Sequence, residues 1–453
     1  MSENIIIISI DSLRADGTNY NRELIYGKGK HQRIKTPNLD KFSKAGTSFI
    51  KAYSTNTYTT SAHASLFTGT YPPEHGIRTF FDFNQRLNPK TKTMAEELST
   101  KGYQTFFYSD VKELFSEMNI WKGFRVKTYG KSDWLWNSIE EFKKDKNFIF
   151  LHLFDVHEPY LYIEDESADE KVNQDYYQAV DDLRNELGIK SKLNQKKNPH
   201  DSWEEIKQFL IKNNLDHQQY LKKYYDLGVE EFDKRIKLIL ERFTDLGFDL
   251  NKDLFILLSD HGEGRTEFDK SKSFAHGGSL TEETLRIFFT INIELSSVNS
   301  SLISIKDVKK MISFFSNEEK ISIENNGLYA EHSQWNQRTT TQDSKDKIGI
   351  KNIKSFLSEQ AFISNDSKII INLDQNQYFD IFTKLEKNSE VFIDKTYNFL
   401  LNRFPDIEGK NNSLSMIENR SKGNFLNSII NSQEFKNRKH IQVFNTQGLK
   451  DSY

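Results

Sequence analysis

An α/β fold, with a largely parallel central sheet between helices, is predicted by three features of this 453-residue chain. Short, largely apolar runs, Ile5 to Ile10, Thr105 to Tyr108, Phe148 to Phe154 and Leu254 to Ser259, alternate with segments of helical period, the mark of β-α units. The runs are apolar on consecutive residues, as central strands covered by helices on both faces require. They end in polar residues, and ligands of such sheets collect at the carboxyl ends of the strands.

Taken in order, Ile5 to Ile10 reads as a buried strand that delivers Asp11. Thr36-Pro37-Asn38-Leu39-Asp40 reads as a helix start, with Asp40 or Asn38 as its cap. Thr93 to Gly102 carries Met94, Leu98 and a terminal glycine, so a helix stops there and feeds the strand at Thr105. Residues about 164–228 are dense in charged and amide side chains, with Ile206, Phe209, Leu210 and Ile211 at helical spacing; they form a helical insertion over the edge of the core. Val229 to Leu246 is one amphipathic helix before Gly247 and the next strand. These elements make a catalytic domain over 1–347. A small antiparallel C-terminal subdomain follows over 348–453, with strands at Ala361 to Ile363, Lys368 to Leu373 and Tyr378 to Phe382 and helical hints at Phe425 to Ile430.

Composition narrows the function. The 62 Lys and Arg against 65 Asp and Glu leave a formal charge of −3, and Lys190 to Lys197 is one short patch, read as a solvated face, so no nucleic acid is expected. With 35 Phe the core should be phenylalanine-rich, and the absence of cysteine excludes disulfides, zinc–thiolate sites and cysteine nucleophiles. No run approaches the roughly 18 apolar residues of a membrane span, and the residues before Ile5 lack a basic leader, so a cytoplasmic protein is expected. A homo-oligomer is left open.

Four segments carry chemistry. Asp11, past the first strand, is either a ligand at the sheet edge or a helix cap. Ser259-Asp260-His261-Gly262 repeats the pattern, and its adjacent carboxylate and imidazole suit Zn²⁺ or Mn²⁺, with Ca²⁺ or Mg²⁺ next, unless the pair forms only a structural hydrogen bond. Past the strand at Phe148, Asp155 and His157 alternate onto one face, while His152 is read as a core histidine. Tyr58-Thr59-Thr60-Ser61-Ala62-His63 sets hydroxyls at a helix start, either as plain caps or at an oxyanion site where free N–H groups and the dipole meet. Trp134, Trp136, Tyr160 and Tyr162 are candidates for an aromatic wall, although core packing accounts for at least two of them.

Together these segments resemble the sulfatase-like branch of the alkaline phosphatase and sulfatase superfamily. The likeness runs nearly end to end through Asp11-Ser12-Leu13-Arg14, Thr36 to Asp40, the threonine segment to Gly69, Tyr71-Pro72, His75-Gly76, Asp155 to Tyr160, Ser259 to Glu263, and His276-Gly277 leading to Arg286. It implies an alkaline phosphatase-like core, to which the C-terminal strands also belong. Sulfatases proper carry a Cys or Ser converted to formylglycine within Cys/Ser-x-Pro-x-Arg; here Thr59 takes that position, with Ser61 for the Pro and His63 for the Arg, so no formylglycine is expected.

Family members with a threonine nucleophile are phosphodiesterases, phosphonate monoester hydrolases and phospho-group transferases. The resemblance therefore implies that Asp11, Asp260 and His261 hold a divalent metal that also binds Thr59, whose alkoxide forms a covalent intermediate. Asp155, His157 and His276 either complete a second metal site or contact substrate oxygens, with His157 and His276 in acid–base roles. Arg14 and His63 would bind substrate oxygens, unless Arg14 only pairs with Asp16 and His63 lies on the helix surface. The expected activity is hydrolysis of a phosphodiester, phosphonate ester or sulfate ester in a small-molecule or glycan substrate. The alternatives are transfer of a phospho-group to a glycan or other alcohol, and a non-catalytic binding protein of the same fold.

Overall fold

A computed structural model describes residues 4–30, 33–79, 85–111, 114–142, 146–162, 173–189, 199–213, 215, 217–264, 276, 280–295, 301–317, 323, 325, 327–335, 355–363, 368–372, 378–380, 389–390, 393, 397 and 405–419. The chain divides into two compact units, Met1–Ile323 and Glu324–Tyr453. The basic patch at 190–197 and the helical hints at 425–430 lie outside the described residues.

The first unit opens with β1 (Ile5–Ile10), α1 (Asn19–Tyr26), α2 (Pro37–Ala45), β2 (Thr47–Ser48), β3 (Ala52–Tyr53), α3 (Thr59–Thr68) and α4 (Pro72–His75). It continues with α5 (Met94–Thr100), β4 (Gln104–Ser109), β5 (Val126–Tyr129), α6 (Ser132–Phe142), β6 (Asn147–Leu153), α7 (Gln174–Glu186), α8 (Pro199–Lys212) and α9 (His217–Asp245). β7 (Leu254–Leu258), α10 (Glu282–Leu285), β8 (Phe289–Ile291), β9 (Ile303–Ser304) and α11 (Asp307–Ser316) complete it.

Among the described residues, seven strands form one sheet in the order β2-β8-β7-β1-β6-β4-β5. β1 lies at its centre, parallel to β6 and β7, and β4 is parallel to β6 and β5; only β8 runs against the others, pairing antiparallel with β7 on one side and with the edge strand β2 on the other. The four sequence runs are therefore the central strands, within a residue or so of their expected ends.

The pleat divides the core in two. Ile5, Ile7, Phe148, Phe150 and Ile256 face the layer that holds α3, α5 and α11, where Phe67, Leu98 and Met311 join them. Ile6, Ile8, Ile149, Leu151 and Leu257 face the opposite layer, with Leu39 of α2, Leu135 of α6 and Phe232, Ile236 and Phe243 of α9. Each fully buried Ile, Leu or Phe contributes about 1.5–3 kcal/mol of transfer free energy, so a strand buried on both faces anchors both layers. Phenylalanine does fill the core: Phe107, Phe124, Phe148 and Phe150 stack or meet edge-on at 4.9–5.4 Å with one another and with Phe115.

Local signals explain the helix ends. Thr93 caps α5 and accepts from Glu96 N while Glu96 returns to Thr93 N, a full capping box. For α2 the cap is Thr36, not Asn38 or Asp40, because Pro37 takes the first helical position; Asp40 instead accepts from Tyr20 N and Thr36 Oγ1, and Asn38 bonds Asp233 of α9. α9 is longer than its apolar pattern, 29 residues, because its first half packs with α7 and α8 in the insertion, where Trp203, Ile206, Leu210 and Tyr225 are buried. No described helix is long and apolar enough to cross a membrane.

In the second unit β10 (Leu328–Trp335), β11 (Ser355–Ile363), β12 (Lys368–Asn372) and β13 (Tyr378–Asp380) form an antiparallel sheet in that order, followed by α12 (Ile407–Asn419). It takes in the strands expected beyond 348, of which residues 373, 381 and 382 lie outside the described residues, and adds β10, which pairs with β11 along its whole length.

Candidate active site

The site forms where three parallel strands end beneath the start of α3. All ten residues of α3 are buried, which its small Ala, Ser and Thr side chains permit, and Gly69 closes it in the left-handed conformation at φ 71°. Its interior hydroxyls are satisfied: Thr60 Oγ1 donates to Thr79 O, and Ser61 Oγ donates to Ile77 O. Thr59, first in the helix, turns its hydroxyl the other way, to Asp11 Oδ2 at 3.2 Å and His261 Nε2 at 3.3 Å.

Asp11 sits one residue past β1 and Asp260 two past β7, both fully buried. Asp260 Oδ1 accepts from Ser12 N at 3.3 Å and from His261 N at 2.9 Å. Asp260 Oδ2 makes no hydrogen bond, although His261 Nε2 lies 3.3 Å away. His261 donates Nδ1–H to Gly262 O at 2.9 Å, a tautomer that leaves the Nε2 lone pair facing Asp11, Asp260 and Thr59. Gly262 is required for a backbone reason: a Cβ there would sit 2.0 Å from Glu283 O. The glycine thus serves close packing of two backbones.

One ligand atom each from Asp11, Asp260 and His261 lies within 4.8 Å of the others. Two buried carboxylates side by side repel, and an oxygen without a partner adds a desolvation cost. Burial and the Asp11 charge push Asp260 up; burial pushes Asp11 the same way, but His157, His152 and His261 hold it well below the usual carboxylate range. A cation between them removes the conflict, and the mixed oxygen and nitrogen donors fit a divalent metal. One ligand atom each from His63, His152 and Asp260 also lies within 4.8 Å of the others, on the adjoining side.

His152 corrects an expectation. It is buried, as a core histidine would be, but its Nε2 lies 3.0 Å from Asp11 Oδ2 and its Nδ1 2.9 Å from Ser109 Oγ. It pairs in register with Ser9, and both point to the α3 layer, where Ser9 Oγ meets His63 Nε2 at 2.8 Å.

The second trio separates. His157 and His276 come together, Nε2 to Nε2 at 3.1 Å, and the His276 ring stacks on His261 with centroids 4.5 Å apart. Asp155 does not join them: it pairs with Arg235 of α9, which also holds Asp110 at 3.1 Å. The carboxylate beside the imidazoles is Glu263, 3.3 Å from His276 Nδ1. Burial lowers His157 to about 3, with its Nδ1 bonded to Glu158 O. Burial would lower His276 too, but Glu263 raises it to about 9. One imidazole of the pair is neutral and the other carries a proton.

Arg14 and His63 have inward roles here. Arg14 directs its donors to Asp16 at 2.8 Å and Glu263 O at 2.8 Å, with Glu283 at 3.4 Å, so its guanidinium fastens the turn that carries Glu263. His63 is fully buried and reaches Thr59 O through Nδ1 at 2.7 Å, behind the helix start. The aromatic candidates form no common wall. Trp134 is exposed, Trp136 packs on Phe243, Tyr160 lies between Trp203 and Tyr225, and Tyr162 meets Tyr176.

The backbone at the site is strained where it bends. Ser12 has φ 62°, and a non-glycine residue in that left-handed region costs on the order of 1–3 kcal/mol. Its Oγ donates to Asp11 Oδ1 at 3.0 Å, and Tyr225 Oη donates to its carbonyl at 2.9 Å.

A family model for sulfatases matches residues 3–289. No curated protein matches the sequence. Among solved structures the chain is similar to a Bacteroides thetaiotaomicron protein described under the metabolism of multiple glycosaminoglycans, at 16% identity and TM-score 0.58 over 97% of this chain and 100% of that one. It is similar also to the phosphonate monoester hydrolase of Agrobacterium radiobacter, at 13% identity and TM-score 0.51 over 82% and 87% of the two chains. The phosphonate monoester hydrolase of Silicibacter pomeroyi is 14% identical, with TM-score 0.53 over 93% and 95%. At such identities the structural likeness is one of fold, and the fold is that of the alkaline phosphatase superfamily. With the family model spanning well over half of its length, the chain belongs to the sulfatase family.

Proposed function

We propose that the protein is a metal-dependent hydrolase of phosphodiester, phosphonate ester or sulfate ester bonds that works through a covalent intermediate on Thr59. The observation that carries this reading is the placement of the Thr59 hydroxyl, 3.2 Å from Asp11 and 3.3 Å from His261, beside an Asp260 oxygen that makes no hydrogen bond. A threonine that served only to cap α3 would accept from the helix's own N–H groups instead.

Asp11, Asp260, His261 and Thr59 would hold the divalent metal, which when bound supplies Lewis-acid charge and favours the ionised hydroxyl. Thr59 Oγ attacks the phosphorus or sulfur from the amino end of α3, whose unpaired first-turn N–H groups and dipole stabilise negative charge on the non-bridging oxygens. His276 is held protonated against Glu263 and gives its proton to the departing oxygen; neutral His157, adjacent to it, takes a proton from the water that later cleaves the threonine ester. Mn²⁺ and Zn²⁺ suit the donor set best.

The test is turnover of bis-p-nitrophenyl phosphate, p-nitrophenyl phenylphosphonate, p-nitrophenyl phosphate and p-nitrophenyl sulfate with Mn²⁺ or Zn²⁺, with Thr59→Ala run beside the parent. Chelator-sensitive turnover of the diester or phosphonate that disappears in the variant is expected. Full activity in Thr59→Ala would sink the mechanism, and turnover of the sulfate alone would overturn the expectation of diester or phosphonate turnover.

A further inference from the structure

The helical insertion sends a buried side chain into the turn that carries Asp11. Tyr225 of α9 is fully buried, and its ring meets Tyr160 edge-on at 5.4 Å. Its hydroxyl donates to Ser12 O at 2.9 Å and accepts from Arg14 N at 2.9 Å, so one phenol oxygen spans the backbone on both sides of the turn. Ser12, between these contacts and the strand, has φ 62°. The same residue touches both candidate carboxylates, since its N–H donates to Asp260 Oδ1 at 3.3 Å and its Oγ donates to Asp11 Oδ1 at 3.0 Å. This conformation is costly for a serine, and contacts from the surrounding structure offset the cost.

We propose that Tyr225 is a positioning residue for metal binding: it braces the left-handed turn at Ser12 and so sets the separation of the Asp11 and Asp260 carboxylates. The inference rests on the metal-dependent reading above. The neighbouring Tyr224 supplies the control, because its hydroxyl donates to Ala179 O at 2.9 Å, within the insertion.

The experiment uses the full chain, stripped of metal by chelator and titrated with Mn²⁺ while free ion is followed by electron paramagnetic resonance. Tyr225→Phe keeps the ring and removes both hydrogen bonds, and should weaken Mn²⁺ binding about 10-fold or more, the range seen when groups that orient metal ligands are changed. Tyr224→Phe should stay within about twofold of the parent, although it too loses a part-buried hydrogen bond. Asp260→Asn should lose the ion. Unchanged affinity in Tyr225→Phe, or equal weakening in Tyr224→Phe, overturns the brace while Asp260→Asn still supports the metal reading. A parent chain that takes up no Mn²⁺ removes that reading, and the brace with it. Hydrogen exchange of the unmodified, metal-free chain gives an independent answer if Tyr225→Phe does not fold. The Arg14 N–H should exchange only at the rate of global unfolding, and exchange at the rate of an open loop overturns the proposal.

Discussion

Asp11 and Asp155 leave adjacent parallel strands whose last residues, Ile10 and Leu153, are register partners, yet they meet opposite surroundings. Asp11 turns to the α3 layer and finds a hydroxyl and imidazoles; Asp155 turns to α9 and is closed off by Arg235. The pleat explains the difference. Ser9 and Leu258 are register partners on the α3 side, and Asp11 and Asp260 lie two residues beyond them, so period two carries both to that layer. Leu153 lies among the residues packed against α9, and Asp155, two beyond it, follows. A strand end therefore delivers a carboxylate to the edge of the sheet, and the helix over that face decides whether it meets ligands or a guanidinium.

The largest expected effect lies on the α3 side. Thr59→Ala should lower turnover by about 10³-fold or more, as removal of a nucleophile does, while Mn²⁺ binding by Asp11, Asp260 and His261 persists. Activity within tenfold of the parent would break the contrast between the two faces. On the α9 side the expected effect is on stability. Arg235→Met leaves Asp110 and Asp155 as unpaired buried charges, which costs about 3–5 kcal/mol in urea unfolding of the metal-free chain. Unfolding at the parent's midpoint would mean that the ion triad holds nothing in place.

A smaller effect should mark the junction between the faces. In the metal-free chain His276 should titrate near 9 by nuclear magnetic resonance, and Glu263→Gln should bring it down toward its ordinary 6.5. A folded-state value above the unfolded one stabilises fully below pH 6.5 and is lost as pH rises through 9. Glu263 is held low, so its share is present above its own ordinary 4.5 and fades in acid. The stability gap between parent and Glu263→Gln should thus be widest between about pH 4.5 and 6.5 and narrow toward pH 9; a gap that widens with rising pH would contradict this pairing. The smallest effect is expected at Trp134, 60% exposed on α6. Trp134→Ala should change stability by less than about 0.5 kcal/mol and leave turnover as it was.

Much of the site was legible because its residues sit where local rules act. Asp11 and Asp260 follow consecutive apolar runs, Thr59 opens a helix of small residues, and His261 adjoins Asp260, so each can be placed from its own neighbourhood. The parity argument failed at His152 because alternation says which residues share a face but not which face carries the site. Asp155 failed likewise, since its partner Arg235 lies 80 residues away on a helix whose orientation nothing local specifies. Tyr225 is 213 residues from Ser12, and no local pattern in the insertion singles it out.

The amino-acid sequence by itself determined the parallel sheet, the order of its units and the carboxylate, imidazole and hydroxyl groups at its edge, because burial pattern and helix-start chemistry depend on near neighbours. Only the tertiary structure decided which of those groups meet, which are neutralised from behind and what holds the Ser12 turn, because these depend on helix packing across hundreds of residues, where a side chain's partner is set by geometry and leaves no local trace.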